Sequence, residues 1–111
     1  MLTRSWLGAV AALAACADPV YQGKFAYDEG WRVAKVTEVG IGHALPSSSG
    51  RDCRESLPPE VAARHTFARV TFTSARVFHA DIVPVAPDLP VEVGGTVYVN
   101  MNRCDVDARA Q

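Results

Sequence analysis

The chain has 111 residues, of which 49% are hydrophobic and 21% charged, and its formal net charge is −1. A chain this apolar is expected to fold rather than to remain disordered. The 11 basic and 12 acidic residues are interspersed, which indicates neither a nucleic-acid footprint nor a polybasic membrane patch. The length suffices for one domain with a modest core and not for two.

The first segment has the layout of a secretory signal. Residues 1–5 carry one charge, Arg4, and residues 6–15 form an uninterrupted run of apolar and small side chains. A positive start followed by such a run is typical of an exported protein. The run is about ten residues long, whereas a membrane-spanning helix needs roughly twenty, so we expect it to be removed.

The end of this run resembles the lipobox of bacterial lipoproteins, which has Leu three positions before an invariant Cys and small residues between them. Leu13, Ala14 and Ala15 fit these positions, and Cys16 falls where the modified cysteine belongs. The resemblance implies a diacylglyceryl group on the Cys16 sulfur, cleavage before Cys16, and a fatty acid such as palmitate on the new amino terminus. Two or more acyl chains anchor a protein stably, so the mature domain would be tied to a membrane surface.

Two other fates of this segment stay open. An ordinary signal peptidase would recognise Ala15 and Ala17 as an A-x-A site and cut before Asp18, which would discard Cys16. Retention as an uncleaved anchor is the third possibility, although the run is short and the helix-breaking Pro19 follows it closely.

The residue after Cys16 bears on the destination. In the enterobacterial sorting rule, Asp directly after the modified Cys retains a lipoprotein in the inner membrane. Ala17 occupies that place here. The expected location is therefore the periplasmic side of the outer membrane.

The other two cysteines predict a disulfide. With Cys16 assigned to lipid, Cys53 and Cys104 remain as an even pair in an oxidising compartment. The loop that they close has about fifty residues and would be worth roughly 4 kcal/mol in the chain-entropy treatment.

Metal binding is the alternative use of these residues. It would combine the two sulfurs with some of the histidines, namely His43, His65 and His79. No two of these ligands have a C-x-x-C or H-x-x-x-H spacing, so we expect no metal and no cofactor. Asp105 and Asp107 lack the rest of a calcium loop and are interpreted as part of a solvated end.

Alternation predicts several short strands. Residues 31–39 alternate with a phase slip, with Trp31, Val33 and Val39 on one side and Val36 on the other, which indicates a bulge or a strong bend. Residues 67–73 and 77–85 form two further candidates, joined by a connection short enough for a hairpin. Residues 96–101 alternate as the last strand.

The least regular stretch is residues 40–59, which contain Pro46 and the Ser47, Ser48, Ser49 run. An excursion this long in a compact domain is often functional, and Cys53 would staple it to the end of the last strand. Residues 60–64 predict one helical turn after Pro59.

These patterns predict an all-β fold, a small antiparallel SH3-like or OB-like barrel with one long disulfide-stapled loop, preceded by a cleaved signal peptide. The expected organisation is a signal peptide at 1–15, a lipidated tether at 16–27, the β domain at 28–104 and a flexible tail at 105–111. Residues 68–100 resemble the β domain of small outer-membrane lipoproteins. Their glycine zipper is absent, and the loop containing Cys53 takes its place.

The expected function is a non-catalytic envelope module. It is attached to the membrane through lipid on Cys16 and binds a protein or glycan through its sheet edge or through residues 40–59. The alternative is a small periplasmic hydrolase, whose candidate residues are loose pairs: His43 with Ser47, Ser48 and Ser49, or His79 with Asp81. No G-x-S-x-G elbow frames the serines, so catalysis is the weaker hypothesis.

Overall fold

A computed structural model of the chain describes residues 18–88 and 90–110. The predicted signal peptide and the lipidation site Cys16 lie outside these residues. The strands are β1 (Val20–Tyr21), β2 (Phe25–Ala26), β3 (Trp31–Ile41), β4 (Thr66–Ser74), β5 (Val77–Val85), β6 (Thr96–Asn100) and β7 (Arg109–Ala110). One short helix, α1 (Pro59–Ala62), and three 3₁₀ turns (Tyr27–Glu29, Gly42–Ala44 and Cys53–Ser56) complete the elements. The predominance of β structure confirms the predicted class.

Five strands form one antiparallel sheet in the order β5-β4-β3-β6-β7, and β1 and β2 form a separate hairpin. Strand β3 is central because residues 31–35 pair with β6 and residues 35–41 pair with β4. Ser74 pairs with Val77, so only two residues connect β4 to β5. The predicted hairpin between these strands is confirmed.

The phase slip in β3 is a β-bulge. The register with β4 shifts between Val36 and Glu38, which leaves Thr37 as the extra residue. Beyond the bulge Val39 pairs with Ala68, on the same face as Val36. The simple alternation had placed Val39 with Trp31, and the bulge accounts for the difference.

One face of the sheet carries the main core. Its buried members come from every long strand: Ala34, Val36, Ala68, Val70, Phe72, Val83, Val85, Val97 and Val99, together with Cys53 and Ala108. In β4 and β6 these core residues alternate along the strand, as expected where one face of a strand packs on a core.

A second, smaller core lies on the opposite face of β4 and β5. Phe67 and Ile82 are fully buried there because Leu45 and Ala62, from the segment between β3 and β4, cover them. Leu57 packs at its margin. The irregular stretch that follows β3 is thus part of the packed structure.

The outer edge of β5 is hydrogen-bonded to irregular segments. Ile82 N donates to Arg51 O and Ala108 N donates to Pro84 O, both at 2.9 Å. Each contact is an isolated parallel bridge, and the described strands do not close into a continuous barrel. The predicted SH3-like or OB-like barrel is therefore not confirmed. Covering an edge in this way blocks pairing with another chain.

The predicted tether and the predicted tail both contribute strands to the fold. Residues 20–26 form the β1–β2 hairpin, and Tyr27 N donates to Pro19 O at 3.0 Å. At the other end β7 pairs with β6, and Ala108 is buried in the main core. The described parts of the predicted tether (18–27) and tail (105–110) therefore belong to the domain.

Candidate functional site

The Cys53–Cys104 disulfide ties the loop after β3 to the segment that follows β6. The Cα atoms are 5.3 Å apart across a sequence separation of 51. Cys53 is buried in the main core, and Cys104 packs against it. The predicted disulfide is confirmed, and neither sulfur is a thiolate available to a metal. We call residues 42–58 the stapled loop.

Arg54 is the buried centre of the stapled loop, with only 5% of its surface exposed. Its Nη1 donates to the carbonyls of Gly42 (3.2 Å) and Leu45 (2.8 Å). Its Nε and Nη2 donate to the Asp52 carboxylate at 2.9 and 2.6 Å. These hydrogen bonds hold the pKa of Asp52 below its usual value and raise the pKa of Arg54. The loop therefore folds around an ion pair whose hydrogen bonds are satisfied.

Arg51 joins the loop to the end of β6. Its Nη1 donates to the carbonyls of Met101 (3.1 Å) and Arg103 (3.2 Å), and its Nη2 donates to Asn100 O (3.1 Å). Its Nε lies 3.4 Å from a carboxylate oxygen of the buried Asp81, an ion pair without a well-formed hydrogen bond. One guanidinium thus satisfies three carbonyls where the strand ends.

The loop also packs closely on β5. Ser48 Oγ donates to Ala80 O and accepts from Gly50 N. A Cβ atom at Gly50 would lie 2.5 Å from both Ala80 O and an Asp81 oxygen. Only glycine fits at this approach.

The structure does not assemble the Ser-His hypothesis. The Ser48 hydroxyl is engaged with the Ala80 carbonyl, while His43, Ser47 and Ser49 are exposed. Within residues 18–88 and 90–110, no hydrogen bond joins His43 to any of the three serines. A general base needs hydrogen-bond reach of its nucleophile, and these residues do not provide it.

His79 and Asp81 have separate partners. The His79 ring stacks on Phe72, with centroids 4.7 Å apart and planes 6° from parallel. Asp81 faces Arg51. The His79 ring thus covers one end of the main core.

The carboxylates near the carboxyl terminus do not converge. Asp105 pairs with Arg103 at 2.9 Å, and Asp107 lies 3.8 Å from His65 Nε2. The described ranges contain no group of three His, Cys, Asp or Glu residues that could hold a metal ion. The structure thus gives these two carboxylates different neighbours.

The β1–β2 hairpin, which begins the described domain, carries aromatic side chains. The rings of Tyr21 and Phe25 stack on Tyr98 at 5.5 and 5.0 Å, and Phe25 lies 4.7 Å from Trp31. An isolated two-stranded hairpin is marginal in water, so this stacking stabilises β1 and β2 on the sheet. Tyr98 is consequently buried on the side of β6 that faces away from the main core.

A shallow groove of about 200 Å³ lies beside β6 and β7. Its lining includes Pro90, Val91, Glu92, Thr96 and Ala110. Sites for drug-sized ligands and cofactors are typically larger, about 300–1,000 Å³. The groove has room for a side chain or a small group.

Comparison of the chain with protein families, curated proteins and solved structures finds no match. No helix in the described part of the chain has the length and apolarity needed to cross a membrane.

Proposed function

We propose that this chain is a lipid-anchored cell-envelope lipoprotein whose β domain is a non-catalytic binding or structural module facing the periplasm. The anchor is a set of acyl groups on Cys16. The Cys53–Cys104 disulfide carries the proposal, because it accounts for two of the three cysteines and leaves Cys16 for lipid.

The disulfide supports export. Disulfides persist in the periplasm and outside cells, whereas cytosolic thiols are kept reduced. The apolar run at residues 6–15 supplies the export route. The two features point to the same compartment although they lie in different parts of the chain.

The start of the folded domain supports an anchor at Cys16. Pro19 already accepts a hydrogen bond from Tyr27, only three residues after Cys16. Acylation at Cys16 would therefore attach lipid directly to a packed hairpin. Cleavage before Asp18 would instead release the same domain without lipid.

The engaged side chains support a binding role over a catalytic one. The Ser48 hydroxyl, His79 and Asp81 make structural contacts, and the groove beside β6 is small. The stapled loop covers the edge of β5 near Ala80. A partner therefore reaches the exposed polar surface of the loop, which includes His43 and Ser47, more easily than it reaches this edge of the sheet. A protein or glycan partner suits such a surface.

We also propose that the sheet is a partly open SH3-like or OB-like barrel, in which irregular segments occupy the gap between its edges. The isolated bridges of Asp52 with Ile82 and of Val85 with Ala108 support this assignment. They bring the stapled loop and the C-terminal segment to the free edge of β5.

Lipidation is tested by growing cells with an alkynyl fatty acid and detecting the probe on the purified chain. The wild type and an Ala17→Ser control should carry the probe, and Cys16→Ser should not. Both substitutions are small and adjacent, so they differ mainly in the thiol. A labelled Cys16→Ser protein would show that the anchor is assigned to the wrong residue.

The destination is tested by separating the two membranes on a density gradient. With Ala17 after the modified cysteine, the protein is expected in the outer-membrane fraction. Recovery with the inner membrane would contradict this assignment while leaving lipidation intact.

A further inference from the structure

The chain between Cys16 and the folded domain is very short. Three residue steps of at most about 3.6 Å place the Pro19 Cα within about 11 Å of the Cys16 Cα, whatever the path between them. Pro19 is fixed to the domain by the 3.0 Å hydrogen bond from Tyr27 N. Acyl groups on Cys16 would therefore hold this end of the domain at the headgroups.

A series of contacts places the tip of the β4–β5 hairpin at the same end. The Arg32 guanidinium lies 3.4 Å from the centre of the Tyr27 ring, and its Nη1 donates to Tyr27 O at 2.7 Å. Its Nε donates to Ser74 Oγ at 2.9 Å. Ser74 ends β4 and pairs with Val77. The tip, residues 75–78, is thus connected to Pro19 through two side chains.

The register places Phe78 on the face that carries the β1–β2 hairpin. Lys35 pairs with Thr71 of β4 and with Thr96 of β6, and paired residues share a face. Side chains two residues apart in a strand also share a face. Thr71 in turn pairs with Ala80 of β5. Phe78 is two positions from Ala80 and Tyr98 is two positions from Thr96, so both side chains point to the same side of the sheet.

The tip is apolar and open. Phe78 is 67% exposed and Val77 is 56% exposed, and Val20 of β1 is also exposed. Phe and Val side chains gain free energy when they leave water for the boundary between headgroups and acyl chains. Arg76, between the two β-strands, is exposed and long enough to keep its charge among the phosphates.

We propose that this end of the domain, with Val77 and Phe78 at its tip, lies directly on the lipid bilayer. The inference rests on the proposed acylation of Cys16. The contact is apolar rather than electrostatic, because the acidic Asp28 and Glu29 are exposed at the same end as Arg76. The start of the stapled loop, with His43, follows the opposite end of β3 and then faces the periplasm, whereas Ser48 and Arg51 lie closer to the tip.

The test uses the mature acylated chain, starting at Cys16, reconstituted into vesicles of phosphatidylethanolamine and phosphatidylglycerol that contain lipids brominated on their acyl chains. Phe78→Trp places a fluorophore at the tip. The matched control is Val61→Trp on α1, an exposed position next to the Gly42–His65 hydrogen bond, at the opposite end of β3. The length of β3 separates the two ends by about 30 Å.

We expect Phe78→Trp to lose most of its added emission in brominated vesicles, and Val61→Trp to lose none beyond the loss seen in the wild type. The loss should be unchanged in vesicles of phosphatidylethanolamine and phosphatidylcholine, which lack anionic lipid.

Vesicle flotation separates the hypothesis of a lipid anchor from the hypothesis of a membrane contact at the tip. A chain that does not float overturns the lipid anchor as well. A chain that floats with an unquenched tryptophan at position 78, or with equal quenching at both positions, overturns only the membrane contact and leaves the tip free for a protein.

Discussion

The stapled loop and the β4–β5 hairpin differ in sequence and in the way that they are held. The loop has Ser, Gly and Pro without apolar periodicity, yet a disulfide and Arg51 fix it to the end of β6, and Arg54 holds it together from within. The hairpin has the clearest alternation in the chain. Nevertheless both residues of its turn, Ala75 and Arg76, have positive φ angles (50° and 66°), and its tip exposes Phe78.

This difference shows what alternation does and does not report. In β4 and β6 it identifies the side chains that pack in the main core, because successive side chains of a strand point to opposite faces. It does not report how firmly a segment is held, because that depends on bonds between residues distant in sequence, such as the hydrogen bond from Arg51 to Met101, fifty positions away. Removing those bonds should make the loop more mobile and more sensitive to proteases, as its content of Ser, Gly and Pro suggests.

The largest effect is expected from Cys104→Ser. The disulfide closes a loop with a sequence separation of 51, so its loss should lower the free energy of unfolding by about 4 kcal/mol. Urea unfolding of a soluble form that starts at Ala17 measures the change. The stapled loop should then become the first site of proteolysis, since its covalent link to the end of β6 is gone.

Mass spectrometry of the unreduced protein provides the control for this experiment. Freshly isolated mature domain should show no alkylation at Cys53 or Cys104. Two alkylated thiols would contradict the bridge and its expected contribution to stability.

Arg54→Met is expected to be the next most damaging change. It removes the donor that satisfies the carbonyls of Gly42 and Leu45 and leaves Asp52 without its cation, at a cost of about 3 kcal/mol. The control is Arg64→Met, an exposed arginine whose Nε donates to Glu60 O, expected to cost less than about 0.5 kcal/mol. Equal costs in urea unfolding would show that the buried guanidinium does not hold the loop.

The ion pair of Arg54 and Asp52 should also make the loop sensitive to acid. The hydrogen bond from Arg54 holds the folded-state pKa of Asp52 below the unfolded value of about 3.9. The stabilisation is therefore complete above that pH and is lost as the pH falls through the lower, folded-state pKa. The urea midpoints of the wild type and Asp52→Asn should differ by a constant amount near neutral pH and converge in strong acid. A constant difference down to about pH 2 would exclude this titration as the cause.

The strands, the bulge in β3 and the disulfide can be predicted from the sequence. Alternation reflects the local geometry of a strand, and the number of cysteines reflects the compartment. The roles of Arg51 and Arg54 cannot be predicted in this way, because their partners are backbone carbonyls that converge only after folding. The aromatic end was assigned to a tether for a similar reason. Tyr21 and Phe25 look isolated in the sequence, and their burial depends on Tyr98, more than seventy positions away. Cys16, the centre of the functional hypothesis, lies outside the described residues.

The smallest expected effect concerns the turn of the β4–β5 hairpin, and it is a gain. Two-residue hairpin turns with two positive φ angles favour Asn-Gly, whereas Ala75 and Arg76 each hold a Cβ in the left-handed region. The double variant Ala75→Asn and Arg76→Gly should therefore raise the free energy of unfolding by about 1 kcal/mol, because glycine removes the strain at the second position and asparagine tolerates the first. Arg76→Lys is the matched control, since it keeps the charge and the Cβ and should give no gain. The stapled loop reaches β5 at Ala80, four residues beyond Arg76, so a gain of the same size in the Cys104→Ser background would show that the turn and the loop are energetically independent. A gain of the same size from Arg76→Lys would show that the gain in the free energy of unfolding comes from the side chain beyond Cβ, and that relief of backbone strain is not its cause.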